Sequence, residues 1–162
     1  MKIRDAVQDD WPHIWSFMSG IVAAGETFPW EPDTPGEQIR SFWLSDGPGC
    51  GSLVAEIDGA IAGTAEIHPN LPGQSAHIAN AGFMVNPDYR SGGVGRALGE
   101  AAIDWARRAG YRSMQFNAVV DANTHAVKLW HSLGFETIAR VPEGFKHPRV
   151  GYTDLHIMFL RL

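Results

Sequence analysis

The chain has 162 residues, of which 44% are apolar and 19% are charged, with 18 glycines and 10 prolines among them. This profile predicts one folded domain over residues 1–162 and excludes a disordered chain. A formal net charge of −5 disfavours nucleic acid as a partner, because broad contact with phosphate backbones needs a basic face.

The first part of the chain predicts one strand and two helices. Residues 2–7 suit the strand, and Asp9 or Asp10 is placed to cap a helix that ends at Gly25. Thr34 and Glu37 form a capping-box pattern around a second helix, which should begin at Pro35. The inward residues expected for these helices are Ile14, Phe17, Met18, Ile21, Ile39, Phe42 and Trp43.

The rest of the chain alternates strand-like and helical patterns. Asp58 and Gly59 predict a tight hairpin between strands 52–58 and 60–67. A strand over 76–85 ends at Asn86 and Pro87, and a helix follows from Val94 to about Arg108. Next come a strand over 113–120, a helix over 123–133 and late strands near 136–141 and 152–161. The fold class is therefore mixed α/β with a largely antiparallel sheet.

The glycine-rich run at 90–96 lies where a strand has ended and a helix begins. Helix-start N–H groups, three glycines and two arginines suit a diphosphate, although the glycines alone indicate a plain turn equally well. No P-loop lysine closes the motif, and the run comes too late in the chain for a dinucleotide fold. These exclusions favour coenzyme A, held by Arg90, Ser91, Gly92, Gly93, Val94, Gly95 and Arg96.

The segment VNPDYRSGGVGRAL resembles the acetyl-CoA signature of the GNAT (GCN5-related) N-acetyltransferase superfamily, and NTHAVKLWHSLGF resembles its second signature. The resemblance implies a central sheet splayed at the acetyl-CoA site, with coenzyme contacts from the backbone near Met84 and Val85. Asn123 is then both a helix cap and a coenzyme contact. Trp130 stands where many members carry a tyrosine that protonates the leaving thiolate, and indole cannot supply that proton.

The segments HIANAGFMV and FNAVV are similar to acetyltransferases that act on L-azetidine-2-carboxylate, a proline analogue, and EPDTPGEQ is similar to phosphinothricin-type enzymes. The first likeness implies that Asn80 and Asn117 bind the acceptor amino acid. Each asparagine taken alone is as well explained by a bond to neighbouring backbone. Both likenesses imply a small amine as acceptor.

Several other side chains are candidates at the acceptor site. Glu66 is a possible base acting through a water, or else a solvated strand-edge carboxylate. His77 either faces the acceptor cleft or is simply hydrogen-bonded. Phe28 and Trp30 form either part of the core or an aromatic lid over the acceptor.

Two further patterns bear on metals and on location. The seven histidines show no short ligand spacing, so we expect no metal. The single cysteine, Cys50, cannot form an internal disulfide, and the N-terminal residues lack a signal-peptide core. These features favour a cytoplasmic protein.

The sequence thus predicts direct acetyl transfer from acetyl-CoA to the amine of a small amino acid or analogue, with no acyl-enzyme. Two alternatives stay open: a non-catalytic acyl-CoA-binding sensor, and a protein or peptide N-acetyltransferase. The family resemblance also implies a possible homodimer, for which the residues themselves give no signal.

Overall fold

A computed structural model of the chain describes residues 1–90 and 92–162. Its seven strands form one sheet in the order β1-β2-β3-β4-β5-β7-β6. The strands are β1 (Lys2–Asp5), β2 (Gly51–Ile57), β3 (Ala60–Pro69), β4 (Ile78–Val85), β5 (Ser113–Val120), β6 (Glu136–His147) and β7 (Gly151–Arg161), and the helices are α1 (Trp11–Ala24), α2 (Gly36–Trp43), α3 (Val94–Arg108) and α4 (Thr124–Ser132). The predicted mixed α/β class with a largely antiparallel sheet is confirmed.

The helices cover both faces of the sheet. Helices α1 and α2 pack on one face, in a core that includes Ile14, Trp43 and Met84. Helices α3 and α4 pack on the other, in a core that includes Leu98 and Phe116. Within the described residues, no helix is long and apolar enough to cross a membrane.

The caps predicted for α1 and α2 are wrong in detail. Asp10 precedes α1, yet its carboxylate binds the guanidinium of Arg4 and the N–H of Val7 instead of capping that helix. Thr34 donates to the carbonyl of Glu31, so no capping box forms at α2. Both departures arise because a nearby partner competes for the polar side chain. Gly25 ends α1 in the left-handed conformation, as predicted.

The inward face of α2 is anchored through one buried polar contact. The indole N–H of Trp43 donates to Thr64 Oγ1 at 2.9 Å, and that hydroxyl donates to the carbonyl of Leu53 at 2.9 Å. Ile39 is buried as predicted, whereas Phe42 is 44% exposed. The exposed ring of Phe42 projects along the side of the sheet, beside His68, with 5.2 Å between the ring centroids.

The sheet opens between β4 and β5. These strands are parallel and pair only at Ile78 with Ser113 and at Ala79 with Met114. Beyond these pairs β4 stays paired with β3 as far as Val85, and β5 stays paired with β7. The splayed sheet predicted from the resemblance is therefore present, and β4 and β5 border a gap.

Candidate active site

The glycine-rich run forms the start of α3 at the end of β4. Gly93 has a left-handed backbone with φ of 73° and accepts the first helical hydrogen bond, from Ala97. Helix geometry leaves the N–H groups of Val94, Gly95 and Arg96 without intrahelical partners. A Cβ at Gly93 would stand in open space, and one at Gly95 would approach Val85 at 3.7 Å. The run thus offers free donors and room for an anion beside the end of β4.

The two arginines of this run are exposed. Arg96 donates to Ser132 Oγ at 2.7 Å and lies 3.5 Å from Glu100, so it spans the ends of α3 and α4. Arg90 lies at the end of a short turn that begins with Pro87. Residues 90–96, which are predicted to hold the coenzyme, are called the coenzyme cradle below; its remaining residue, Ser91, lies outside the described residues.

The open edge of β4 presents backbone groups to the gap. The N–H of Asn86 bonds to Ala62 of β3, and the carbonyl of Ile78 accepts from Asn70. Antiparallel alternation therefore directs the even residues of β4, including Met84, toward β3 and directs Phe83 and Val85 toward the gap. Val85 has the orientation that a coenzyme contact requires. The backbone of Met84 is on the β3 side, and its side chain is buried against α1 and α2.

The two predicted asparagines stand where the sheet opens. Asn80 follows the last paired residue of β4, and its Oδ1 accepts from the N–H of Ala81 at 2.8 Å. Asn117 lies in a β5 bulge that shifts the register between Phe116 and Val119. The Nδ2 of Asn117 donates to Asn70 Oδ1 at 2.6 Å. Both amides therefore bond to neighbouring groups on either side of the gap.

Glu66 is buried on β3, with 4% of its surface exposed. Its Oε2 lies 2.7 Å from Nδ1 of His68, and Oε1 has no hydrogen-bond partner among the described residues. The register places Glu66 opposite Gly82 of β4, where Oε1 lies 2.8 Å from the position a Cβ would take. The carboxylate thus extends over β4 toward its open edge. The expectation of a solvated strand-edge carboxylate is wrong, because the absent side chain at 82 leaves room for burial.

Phe28 and Trp30 form an aromatic wall beside this carboxylate. Their rings stack with 5.0 Å between centroids, and Trp30 lies 6.0 Å from Trp43. The Phe28 ring comes within 3.2 Å of the Cβ position of Gly82. Both residues are half-buried and pack against the core of α1 and α2. They therefore pack inward, as one of the two interpretations expects, and the lid over the acceptor stays a prediction.

Asn123 and Trp130 belong to α4. The Oδ1 of Asn123 accepts from the N–H of Ala126 at 3.3 Å, which confirms its predicted cap. Trp130 is buried among aromatic rings, with centroids 4.7 Å from Phe83 and 4.8 Å from Phe116. The indole therefore fills the core behind the gap and bridges the two strands that border it.

The position of His77 follows from the register of β4. It precedes β4 by one residue, and alternation along the strand places its side chain on the face opposite Asn80. There it lines a cavity of about 240 Å³ with Tyr111, whose hydroxyl donates to the carbonyl of Gly49. Burial raises the pKa of Tyr111 to about 12. His77 therefore lines this second cavity, and its predicted contact with the acceptor stays a prediction.

The structure adds two residues that the sequence did not single out. His68 binds the carboxylate of Glu66, a contact that the spacing of two along one strand would allow. Asn70 binds Asn117 across 47 positions of sequence, which no local pattern signals.

The chain matches the family model described as Acetyltransferase (GNAT) family over residues 3–135. It is 34% identical over 156 residues to the N-acetyltransferase aca1 of Schizosaccharomyces pombe, covering 87% of this chain and 75% of that protein. It is also 32% identical over 113 residues to the L-methionine sulfoximine/L-methionine sulfone acetyltransferase of Salmonella typhimurium, covering 68% and 64% of the two chains.

Solved structures give the same result. A GCN5-related N-acetyltransferase from Kribbella flavida superposes with a TM-score of 0.95 at 50% identity, covering 99% of this chain and 97% of that one. A phosphinothricin acetyltransferase from Sinorhizobium meliloti, in complex with acetyl-CoA, has a TM-score of 0.87 at 25% identity, covering 99% and 88%. The open sheet and the helix-start donors have the form that coenzyme binding needs, and the chain belongs to the GNAT family, as an N-acetyltransferase that uses acetyl-CoA.

Proposed function

We propose that this enzyme acetylates the amino group of a free amino acid or amino-acid analogue, by direct transfer within a ternary complex. The observation that carries the proposal is the buried carboxylate of Glu66, which extends over Gly82 of β4 with one oxygen unbonded among the described residues. An ammonium group needs such an acceptor to lose its proton before it attacks a thioester.

The groups around the gap divide the remaining tasks. The N–H groups of Phe83 and Val85 face it and can donate to the carbonyl oxygen of the acetyl group as negative charge develops there. Asn80 and Asn117 carry amides that can bind the carboxylate of an amino acid. Glu66 takes the proton of the amine, directly or through a water, and His68 holds the carboxylate in place.

The leaving thiolate needs no dedicated acid in this proposal. Trp130 is buried in the aromatic core and has no acidic proton, so water protonates the thiolate after it departs. Direct transfer also fits the site, because Asn80, Asn117 and Glu66 do not provide a nucleophile paired with an activating base.

The substrates that relatives' names state support the acceptor class. The Salmonella protein is described as acting on L-methionine sulfoximine and L-methionine sulfone, and the Sinorhizobium protein as a phosphinothricin acetyltransferase. All three compounds are amino-acid analogues with a free amine. The proposal also places the enzyme in the cytoplasm, where acetyl-CoA is available.

A screen of free amino acids and their analogues tests the proposal. Purified protein is mixed with acetyl-CoA and each amine, and free thiol is followed together with the mass of the acetylated product. We expect turnover with free amino acids and none with unstructured peptides that begin with the same amino acids. Saturable binding of acetyl-CoA without turnover on any amine would identify a sensor, and turnover on peptides alone would identify a peptide acetyltransferase.

Intact-mass spectrometry tests the direct transfer. Protein mixed with acetyl-CoA alone should keep its unmodified mass. An acetylated protein that loses its acetyl group when the amine is added would overturn the ternary mechanism.

We further propose that the enzyme forms a homodimer through the free edge of β6. Ile138 and Val141 on this strand are 55% and 41% exposed, and unpaired strand edges favour association. Light scattering of the purified protein should give twice the mass of the chain, and Ile138→Lys should give the mass of one chain. A monomeric parent protein would exclude the dimer.

A further inference from the structure

A cavity of about 550 Å³ lies between α2 and the end of β3. It is the larger of the two cavities described above, and neither the coenzyme cradle nor the gap between β4 and β5 accounts for it. Its inner wall includes Glu66, the residue whose carboxylate extends toward the gap. The cavity therefore shares Glu66, and with it His68, with the proposed site of transfer.

The walls of the cavity are mostly apolar. They are formed by residues of α2, of the loop before β2, of the end of β3 and of the loop before β4, chiefly Phe42, Trp43, Ile67, Pro69, Pro72 and Ala76. The polar side chains Glu66 and His68 lie together on one strand. The ring of His68 also contacts the edge of Phe42. A ligand that fits this arrangement carries an amine at one end and an apolar group at the other.

We propose, on the basis of the acetyltransferase function proposed above, that this cavity binds the side chain of the acceptor. An amino acid whose amine bonds to Glu66 Oε1 then directs its side chain past His68 into the apolar space. The preferred acceptors are amino acids with large apolar side chains, such as leucine, methionine and phenylalanine. Glycine, alanine and the small ring of proline leave the cavity unfilled. Phe42 is a specificity-determining residue, because its half-exposed ring forms the wall next to His68.

Filling the cavity by chemical modification tests the assignment. Cys50 is the only cysteine of the chain and lines the cavity, so thiol reagents modify it selectively. The protein is alkylated with iodoacetamide or with the bulkier N-phenylmaleimide, freed of reagent, and assayed with acetyl-CoA and glycine, alanine, leucine, methionine or phenylalanine. Cys50→Ala, treated identically, is the matched control.

We expect the bulkier label to lower kcat/KM for leucine and phenylalanine by about tenfold or more, in line with the discrimination that an apolar pocket provides. Turnover of glycine and alanine should stay close to that of the unlabelled protein, because their side chains do not enter the cavity. Phenylalanine should also slow the alkylation of Cys50, a result that does not depend on turnover. Equal effects on all acceptors, or no effect on any, would overturn the assignment of the cavity while leaving the proposed function intact.

A substitution provides a second test that needs no labelling. Phe42→Ala removes the half-exposed ring that forms one wall of the cavity. The ratio of kcat/KM for leucine or phenylalanine to kcat/KM for alanine should fall by about fivefold to tenfold. Leu71→Ala removes a nearby exposed apolar side chain that does not line the cavity, and it should leave the ratio unchanged. An unchanged ratio in Phe42→Ala, with the melting temperature preserved, would refute the role of this residue. Failure of every amino acid as an acceptor would instead refute the proposed function.

Discussion

Glu66 and Gly82 lie opposite each other on neighbouring strands, and the carboxylate of Glu66 occupies the space that a side chain at position 82 would fill. The absence of a side chain at this position of β4 therefore lets a carboxylate of β3 extend over β4, the strand that borders the gap. A buried carboxylate held this way is costly unless it is hydrogen-bonded, and His68 supplies one such bond.

Replacement of the carboxylate tests its part in the reaction. Glu66→Gln keeps the size of the side chain but removes the base, so kcat should fall by about 10²-fold to 10⁴-fold. The affinity for acetyl-CoA should stay unchanged, because the cradle at the start of α3 is formed by other residues. Thiol release and calorimetry measure the two quantities. Glu37→Gln, an exposed change on α2, is the control and should retain parent activity. A Glu66→Gln enzyme with undiminished kcat would remove Glu66 from the mechanism.

The glycine at position 82 should matter through the same carboxylate. Gly82→Ala places a methyl group 2.8 Å from Glu66 Oε1 and 3.2 Å from the Phe28 ring, so both must move. We expect kcat to fall by about tenfold, since small misplacements of a reacting group are costly. Gly20→Ala on α1 meets no atom within 4 Å and should leave kcat unchanged. Parent kcat in Gly82→Ala would show that the position of the carboxylate is not critical.

The cradle is tested by a pair of glycines at the two ends of α3. Gly93 and Gly110 both have left-handed backbones, and a Cβ at either would stand in open space. Gly93→Asp puts negative charge at the helix-start donors and should weaken acetyl-CoA binding by about 100-fold. Gly110→Asp should leave acetyl-CoA binding unchanged. It should destabilise the protein more than Gly93→Asp does, because a carboxylate is unfavourable at a helix C-terminus by about 0.3–1 kcal/mol. Calorimetry and thermal melting measure both effects, and equal affinity in the two variants would place the cradle elsewhere.

The pairing of Arg4 with Asp10 predicts a pH dependence of stability. Both oxygens of Asp10 bind Arg4, at 2.7 and 2.9 Å, and this bond chiefly holds the pKa of Asp10 below its usual range. The folded state thus favours the ionised carboxylate, so its contribution is complete above the unfolded pKa of about 3.9. The contribution is lost as the pH falls toward the lower native pKa.

Asp10→Asn should therefore lower the free energy of unfolding at pH 7 by about 1–2 kcal/mol. The difference in free energy of unfolding between variant and parent should become smaller below about pH 4. Urea denaturation at pH 7 and at pH 3 measures it. Asp9→Asn, an exposed neighbour, is the control. A difference that is constant with pH would assign the effect to packing instead of charge.

Much of the fold follows from local sequence. Asp58 and Gly59 both adopt positive φ, at 50° and 82°, as the tight hairpin predicted. The predicted bounds of α3 and β5 agree with the structure, because proline, glycine and apolar periodicity delimit them. The extent of β6 differs: Pro142 and Gly144 predict a break after Val141, yet the strand runs to His147 because pairing with β7 resumes at Phe145 after a register shift. Bulges of this kind depend on the partner strand.

The site is harder to derive, since its geometry depends on which strands become neighbours. The positions of Asn80 and Asn117 at the opening came from resemblance, and their contacts with Ala81 and Asn70 needed coordinates. The burial of Glu66 requires knowledge that Gly82 lies opposite it. The orientation of His77 depends on the same register. Sequence gave candidates for the chemistry, and the sheet register decides which of them face one another.

The opening between β4 and β5 has a thermodynamic consequence. With only two residue pairs joining these strands, Phe83 and Val85 present backbone groups that a normal sheet would satisfy with another strand. Acetyl-CoA that bonds to these groups completes the sheet, so its binding energy adds to the stability of the fold. At a free concentration one hundred times Kd the gain is about 2.7 kcal/mol. The folded population of this enzyme should therefore rise and fall with the supply of its own acyl donor.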